Sequence, residues 1–255
     1  MNELALRKRA LAGEKLVGTF VNTGSVMSAE MAGRVGLDWV LFDMEHGVGG
    51  WETLLHQLVA VEGSQTGPIV RLPGLDPVYF KKALDLGAHG VMLPSLNTAE
   101  EAAQAVSFSR YPPHGVRGVA GMNRCAHFGK KLVERLETAH ENTLVAIQIE
   151  TKEALENVDA IAAVDGVDVL FVGPMDLTVS LGIAGQLERP EYKAACAKVV
   201  DAANRHGKAS GVLLFDGKGL TSSFDEGFTF VGIGSDGGMI SAGMDAVLQN
   251  KKDAL

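Results

Sequence analysis

The sequence predicts an α/β protein with a (β/α)8 barrel, the TIM-barrel fold, in a single domain that spans residues 1–255. Eight short apolar segments, rich in valine and isoleucine, alternate with segments whose apolar residues recur at helical spacing. No change of composition marks a domain boundary, and the apolar fraction of 46% is ample for one large core. A doubly wound sheet is the alternative, but it rarely contains eight βα units in succession.

The predicted strands are short and apolar, as expected for parallel strands that are buried on both faces. They comprise residues 15–21, 39–43, 68–72, 90–93, 144–150, 167–172, 209–215 and 229–233. The predicted helices comprise a segment that ends near residue 13, then residues 25–35, 51–61, 77–86, 98–109, 151–164, 191–205, 218–225 and 238–248. Thr98 followed by Glu101 predicts a capping box. A long irregular stretch, residues 111–129, interrupts the alternation.

The composition excludes several classes of partner. The net charge is −8, whereas nucleic acids and anionic membranes are bound by basic surfaces. No apolar stretch approaches the ~20 residues of a membrane span, and the N-terminal segment carries charges where a signal peptide needs an apolar run. Cys125 and Cys196 are not spaced as a metal clip and indicate a reducing compartment. We therefore expect a cytoplasmic protein that binds neither nucleic acid nor membrane.

Two neighbouring strands of the predicted barrel end in a carboxylate, Glu150 after one and Asp176 after the next. Adjacent parallel strands lie about 4.8 Å apart, so these groups can share one cation. Hard divalent metals held by one or two carboxylates and by substrate oxygens fit this arrangement. The structural alternative is that Glu150 caps the following helix and Asp176 caps a turn after Pro174. The convergence of further polar residues on the same end of the barrel favours the metal site.

Further polar side chains follow other strands at the carboxyl end, where TIM barrels carry their chemistry. Arg71 ends an apolar strand, where it either pairs with Glu45 or Asp43 or stabilises an anionic oxygen. His46 is either a hydrogen-bonded structural residue or a base whose pKa near neutrality suits proton transfer. Gln148, near the end of the fifth strand, completes a polar cluster that converges on the mouth of the barrel.

Several common cofactor arrangements are not expected. Residues 232–237 match the dinucleotide-binding glycine fingerprint, but the motif needs a following helix and strand with an acidic residue about 20 positions on, and only eighteen residues remain, so NAD is not expected. No lysine lies in the interior of a predicted strand, since Lys15 only begins the first one, so a Schiff-base lysine is not expected, and neither is PLP. Stabilisation of a carbanion would then come from the metal and Arg71.

Six motifs along the chain resemble those of a known family, the HpcH/HpaI group of metal-dependent class II pyruvate aldolases. They are residues 42–46 (FDMEH), 70–73 (VRLP), 90–94 (GVMLP), 112–118 (PPHGVRG), 148–150 (QIE) and 172–177 (VGPMDL). The resemblance covers nearly the whole chain. The set in this order is specific, whereas any single motif would be weak.

The resemblance implies a role for each charged residue at the mouth. Glu150 and Asp176 would be ligands of a divalent metal, Mg²⁺, Mn²⁺ or Co²⁺. Arg71 would stabilise an enolate, and His46 would act as the base. The basicity of His46 would be raised by Asp85, although Asp85 by itself looks like an ordinary helix end.

The resemblance also assigns the groups that hold the substrate. Gln148 and the backbone around Met175 and Asp176 would bind the 2-oxo acid. From the residues alone, Asp43 is the first candidate for the partner of His46; alternatively it orients water bound to the metal from behind the residues that touch the metal. Independently of the resemblance, the irregular stretch 111–129, with Arg117, Arg124 and His127, is predicted to influence the choice of aldehyde across a subunit interface.

The activity implied by the resemblance is reversible aldol cleavage and addition between an aldehyde and the enolate of pyruvate or hydroxypyruvate. Oxaloacetate decarboxylation would be a side activity, because it passes through the same enolate. Candidate substrates are 4-hydroxy-2-oxo diacids from aromatic degradation and 2-keto-3-deoxy sugar acids. The implied assembly is a homohexamer, a trimer of dimers, in which the last helix is exchanged between subunits.

Two alternatives stay open at this stage. An acyl-CoA ester lyase on a related barrel would need a basic surface for the nucleotide, and the sequence shows no basic cluster near the mouth. A non-catalytic barrel that binds 2-oxo acids would have no need for a base such as His46. The aldolase hypothesis is therefore favoured over both.

Overall fold

The computed structural model describes residues 4–254 and shows a closed barrel of eight parallel strands that follow one another in chain order. The predicted (β/α)8 fold is therefore confirmed. The strands are β1 (Leu16–Val21), β2 (Trp39–Asp43), β3 (Gly67–Arg71), β4 (Gly90–Leu93), β5 (Leu144–Ile149), β6 (Val169–Val172), β7 (Ala209–Leu214) and β8 (Phe230–Ser235). Pairing of β1 with both β2 and β8 closes the barrel.

Helices follow the strands and surround the barrel. They are α1 (Leu4–Leu11), α2 (Val26–Arg34), α3 (Trp51–Ala60), α4 (Pro77–Asp85), α5 (Ala99–Ser109), α6 (Leu132–Asn142), α7 (Lys152–Glu156), α8 (Val158–Ala162), α9 (Pro174–Ser180), α10 (Pro190–Arg205), α11 (Leu220–Asp225) and α12 (Asp236–Asp253). The capping box of Thr98 and Glu101 at the start of α5 is confirmed. None of the helices between residues 4 and 254 is long and apolar enough to span a membrane.

The interior of the barrel is filled by aromatic side chains. Trp39 stacks on Phe230 with ring centroids 4.5 Å apart and packs edge-on against Phe20 and Phe171. All four side chains are buried, so the barrel is a packed core and not a pore. A small molecule can therefore reach the polar strand ends only from the mouth.

Three helical segments differ from the sequence-based expectation, and one of them is α9, which follows β6 where no helix is predicted. No helix is predicted over residues 132–142, where the structure has α6; its apolar Leu132, Leu136 and Ala139 recur at helical spacing, but the polar Arg135 and Asn142 are buried with them. The segment predicted as one helix over 151–164 is divided into α7 and α8 at Asn157. The Asn157 side chain donates to the carbonyl oxygen of Asn97 at 2.8 Å, which ties the division to the β4–α5 loop.

A buried charge cluster lies at the end of the barrel opposite the mouth. Asp168 precedes β6 and accepts hydrogen bonds from Arg7 Nε and from the backbone N–H of Val145, both at 2.9 Å. Arg110 Nη2 is 3.9 Å from Asp168, and both Nη atoms of Arg110 are buried without a hydrogen-bond partner among the described residues. Burial lowers the pKa of Arg110 to about 10. Asp168 thus has two hydrogen bonds, although burial still raises its pKa, whereas the Nη atoms of Arg110 have none among the described residues.

Arg110→Met is expected to leave the free energy of unfolding within about 1 kcal/mol of the wild-type value, because it removes a buried cation whose pairing is incomplete. Asp168→Ala should lower it by about 3–5 kcal/mol, because Arg110 and Arg7 then lose their counter-ion. Urea titration of both variants at one protein concentration measures the difference. Equal losses of unfolding free energy in the two variants would contradict the conclusion that Asp168 contributes more to stability than Arg110.

Candidate active site

The carboxyl ends of the strands surround a cavity of about 390 Å³. Its walls bring together five of the predicted site residues, which are Asp43, Arg71, Gln148, Met175 and Asp176. Glu150 directly follows β5 and is only 5% exposed. The structure thus gathers at one mouth residues that are more than 130 positions apart in the chain.

Arg71 is held in the cavity wall by two carboxylates. Its Nε and Nη2 atoms donate to the two oxygens of Asp43 at 2.9 and 2.6 Å, and its Nη1 lies 3.1 Å from Glu45 Oε2. Asp43 and Arg71 are register partners at the ends of β2 and β3. Burial opposes the charge of Arg71, but the hydrogen bonds and charge of Asp43 outweigh it and raise the pKa of the guanidinium. Arg71 is therefore a permanent cation in one orientation.

Glu150 is held by the chain on both of its oxygens. Its Oε1 accepts from the backbone N–H of Ser95 at 2.7 Å and from the Ser95 hydroxyl at 3.2 Å, and its Oε2 accepts from Gln148 Nε2 at 2.9 Å. Gly173 leaves room for this carboxylate, since a Cβ there would lie 2.7 Å from Glu150 Oε2. The N-cap of α7 is Thr151, so Glu150 does not cap that helix.

Asp176 lies in the first turn of α9, and its exposed side chain lines the cavity. Its carboxylate has no hydrogen-bond partner within the described part of the chain, so the turn-capping alternative is not realised. The first backbone N–H groups of a helix have no partner within the helix, and they carry partial positive charge. The start of α9 at Pro174 therefore places both a free carboxylate and N–H donors at the mouth.

The carboxylates around the cavity repel one another. Burial raises the pKa of Glu150, and the charges of Asp176 and Glu45 add to the effect against the hydrogen bonds from Ser95. Burial also raises the pKa of Glu45, with a contribution from Asp176. A cation between Glu150 and Asp176 would relieve this repulsion, because an opposite charge favours the ionised form of both groups.

The donor groups of the site fit a hard divalent metal. Gln148 Oε1 is buried without a hydrogen-bond partner among the described residues, so one more oxygen is left for a ligand. No three His, Cys, Asp or Glu side chains between residues 4 and 254 are grouped as metal ligands. A metal would thus be held by Glu150 and Asp176 together with water and substrate oxygens, which is the coordination that Mg²⁺ commonly accepts.

His46 follows β2 at the mouth of the barrel, but it is not among the residues that line the cavity, and its side chain is 70% exposed. Its Nε2 atom is 3.8 Å from Glu45 Oε1. The backbone N–H groups of Glu45 and His46 donate to Asp43 Oδ1 at 3.1 and 3.2 Å. Asp43 therefore fixes both the Arg71 guanidinium and the turn that carries His46.

Asp85 lies at the opposite end of the barrel from His46. It is the last residue of α4, which runs back from the mouth toward the start of β4, and it accepts from Arg117 Nη2 at 2.5 Å. Arg124 is fixed at the same end, where it donates to Glu62 at 2.7 Å. Within one subunit the structure does not bring Asp85 to His46, so such a contact would require a second copy of the chain.

Two residues of this site, Glu45 and Ser95, have no role assigned by the sequence beyond the possible pairing of Glu45 with Arg71. Ser95 positions Glu150, and Glu45 positions Arg71 and adds to the negative charge of the mouth. Ser95 lies two positions after the end of β4, and Glu45 lies two positions after the end of β2. That position is the signal that could have found them.

The fold and the site define a class of protein, a TIM-barrel enzyme with two carboxylates beside a fixed arginine at the strand ends. Residues 16–242 match the model of the family described as HpcH/HpaI aldolase/citrate lyase. The chain belongs to the HpcH/HpaI aldolase/citrate lyase family, and it is an aldolase, a lyase that acts on carbon–carbon bonds.

Three similar proteins illustrate the relationship. The 5-keto-4-deoxy-D-glucarate aldolase of Enterobacter sp. (strain 638) is 39% identical over 233 residues, which is 91% of each chain. The crystal structure of an HpcH/HpaI aldolase/citrate lyase family protein from Burkholderia cenocepacia J2315 has a TM-score of 0.93 at 34% identity and covers 99% of this chain and 100% of that one. The structure of the citrate synthase SbnG has a TM-score of 0.88 at 29% identity, with 98% of both chains covered.

Proposed function

We propose that this aldolase cleaves and forms the bond between the methylene carbon of a 2-oxo acid and an aldehyde carbon, with pyruvate as the enolate component. The observation that carries the proposal is the Arg71 guanidinium, which Asp43 holds at the same mouth as the Glu150 and Asp176 carboxylates. The substrate class proposed is that of the Enterobacter relative, a 5-keto-4-deoxy sugar diacid. Cleavage of such a molecule yields pyruvate and a hydroxylated aldehyde acid.

Glu150 and Asp176 are the residues proposed to hold a divalent metal, Mg²⁺, Mn²⁺ or Co²⁺. Such a metal supplies Lewis-acid polarisation of the keto group. Two observations support a metal at this position. The charge of Asp176 helps to raise the pKa of Glu150, and Gln148 Oε1 is buried without a hydrogen-bond partner among the described residues. The Gln148 carboxamide and the N–H groups of Met175 and Asp176 at the start of α9 bind the carboxylate end of the 2-oxo acid.

Arg71 stabilises the negative charge that develops on the enolate oxygen, because it is a fixed cation at the cavity wall. In the cleavage direction His46 removes the proton of the hydroxyl next to the breaking bond, and the electron pair of that bond passes into the enolate. In the addition direction His46 returns the proton to the new hydroxyl oxygen. An exposed histidine at the rim needs a partner to set its orientation and basicity, and Asp85 of a second subunit is the proposed partner.

The oligomer proposed is a homohexamer in which α12 is exchanged between subunits. Among the described residues of α12 only Asp236 is buried, so the helix packs on little of its own barrel. Its large apolar side chains are exposed, namely Met239, Ile240, Met244, Val247 and Leu248. A second copy of the chain would cover these side chains and bring Asp85 of one subunit toward the barrel mouth of its neighbour. A cytoplasmic location agrees with the two buried free thiols, Cys125 and Cys196.

The cavity lining favours an aldolase over an acyl-CoA lyase. Among the residues described there, Arg71 is the one cation, and it is already paired with Asp43 and Glu45. The phosphates of a coenzyme A ester would require free cations near the mouth. A non-catalytic binding barrel is disfavoured because it would have no need for a base such as His46.

Proton NMR of pyruvate in D₂O tests the proposal. With the purified protein and added Mg²⁺ or Mn²⁺, the methyl protons should exchange for deuterium, because enolate formation is reversible. After chelation of the metal the exchange should stop, and oxaloacetate decarboxylation should stop with it. Absence of exchange with pyruvate and with hydroxypyruvate in the presence of metal would contradict the enolate mechanism.

A further inference from the structure

The wall of the cavity that belongs to β1 and β8 faces the wall that carries Glu150 and Gln148, because β1 and β5 are opposite in the closed barrel. A 2-oxo acid bound near β5 and β6 would extend its aldehyde part toward this opposite wall. Phe20 of β1 lines the cavity there, and Leu213 and Phe215 from the neighbouring β7 and its end continue the apolar surface. The polar side chains on this wall are those of Asn22 and Ser235.

Asn22 is the polar group of this wall that is free to bind a ligand. Its carboxamide has no hydrogen-bond partner in the described range of the chain, although it lines the cavity. Ser235 differs, because its hydroxyl oxygen accepts the N–H of Gly238 and caps α12. A carboxamide offers both a donor and an acceptor, which matches a hydroxyl group.

The backbone of Asn22 is fixed on both sides. Its N–H donates to Asp236 Oδ1 at 2.9 Å, and its carbonyl oxygen accepts from the N–H of Val48 at 2.8 Å. The buried Asp236 also accepts from the N–H of Gly237 at 2.9 Å and from the Thr23 hydroxyl. These bonds join the β1–α2 loop to the start of α12, so Asn22 is held as part of a rigid wall.

Gly237 makes the space that the carboxamide occupies. A Cβ at this position would lie 3.0 Å from Asn22 Oδ1, which is closer than most real Cβ contacts. The free carboxamide, the fixed backbone and the space left by Gly237 are three separate observations that indicate a built binding group.

We infer that Asn22 determines specificity for the aldehyde, by hydrogen bonding a hydroxyl on the carbon next to the aldehyde carbonyl. The inference rests on the proposed aldolase reaction and names the substrate class of the same site, the 2-hydroxyaldehydes. A distal carboxylate on the aldehyde is not the group that Asn22 recognises, because an anion would call for a cation at this wall.

The test compares two aldehydes of nearly equal shape, glycolaldehyde and propanal, in addition to pyruvate with Mg²⁺ present. Asn22→Ala should lower kcat/KM for glycolaldehyde about tenfold, the loss of one neutral hydrogen bond, and should change that for propanal much less. Gly237→Ala should shift the ratio of the two aldehydes in the same direction, because it displaces the carboxamide while leaving Asn22 in place. Asn204→Ala, an exposed asparagine on α10, is the matched control and should leave the ratio unchanged.

Deuterium exchange into pyruvate separates the two possible failures. If the wild-type protein shows no exchange, the proposed aldolase reaction fails and the inference fails with it. If exchange is normal but Asn22→Ala and Gly237→Ala keep the wild-type aldehyde ratio, the role of Asn22 alone is overturned. Equal losses with both aldehydes would also overturn it, because they would indicate a purely structural role.

Discussion

Arg71→Lys is expected to lower kcat for cleavage of a 4-hydroxy-2-oxo acid about 10²–10³-fold, with little change in pyruvate binding. Lysine keeps the positive charge, but the three donors of its single nitrogen cannot serve both oxygens of Asp43, Glu45 and the enolate oxygen. The guanidinium has five N–H groups, and Asp43 and Glu45 engage three of them, on Nε, Nη2 and Nη1, so donors remain for the enolate oxygen. Steady-state kinetics with pyruvate as a product inhibitor measure both quantities.

Arg71→Ala is expected to disturb the site more than Arg71→Lys does, because it also leaves the buried Asp43 without a counter-ion. We expect this variant to lose stability as well as turnover, whereas the lysine variant should retain most of its stability. If Arg71→Lys had an unchanged kcat and a raised KM, the residue would act in substrate binding and not on the enolate. Normal turnover in both variants would refute its catalytic role.

Glu150→Gln is expected to abolish metal-dependent turnover and the rise in Tm that Mg²⁺ or Mn²⁺ produces in the wild-type protein. Without metal, the Tm of this variant at neutral pH should equal or exceed that of the wild type. The glutamine can still accept the Ser95 N–H, and rotation of the Gln148 carboxamide would give its unpartnered Oε1 a donor. Differential scanning calorimetry with and without metal measures the effect.

The pH dependence follows from the raised pKa of Glu150. In the unfolded chain this carboxyl releases its proton more easily, so at neutral pH its ionisation destabilises the metal-free fold. The metal-free wild type should therefore gain stability as pH falls through the raised pKa toward the ordinary value. Glu150→Gln should lack the part of this gain that Glu150 provides. Metal affinity should fall over the same range, because protons compete for the ligand.

Glu153→Gln provides the matched control for these measurements. Glu153 is an exposed residue of α7, three positions from Glu150. Its side chain makes no hydrogen bond with Ser95 or Gln148, the residues that hold Glu150. This variant should keep the metal-induced shift in Tm and its pH dependence. A normal metal response in Glu150→Gln would place the metal elsewhere in the chain.

Much of the fold could be predicted from the sequence. Parallel strands buried on both faces leave short, nearly continuous apolar runs, and β5 and β6 are recognisable for this reason. The residues that follow such runs must lie at the mouth of a barrel, so Glu150, Asp176 and Arg71 could be grouped before any coordinates were known. The Thr98 capping box was readable because its two partners are three residues apart.

The spacing of apolar residues was insufficient to predict helices whose buried positions include polar residues or whose first residues resemble a turn. The helix α6 buries Arg135 and Asn142, and α9 begins within a motif that reads as a turn after Pro174. The start of α9 matters for the site, because it determines that Asp176 lies in a first helical turn and caps nothing. Although α9 is only seven residues long, its start could be located only from the tertiary structure.

The sequence by itself determined the barrel and the polar residues at its mouth, because both follow from local periodicity and from the direction of parallel strands. Only the tertiary structure decided how these residues are paired. Arg71 meets Asp43 across 28 positions, and Glu150 accepts from Ser95 across 55, both through contacts between different βα units. Asp85 is placed away from His46 because α4 runs back to the other end of the barrel. Such contacts depend on strand register and barrel closure, which no local pattern encodes.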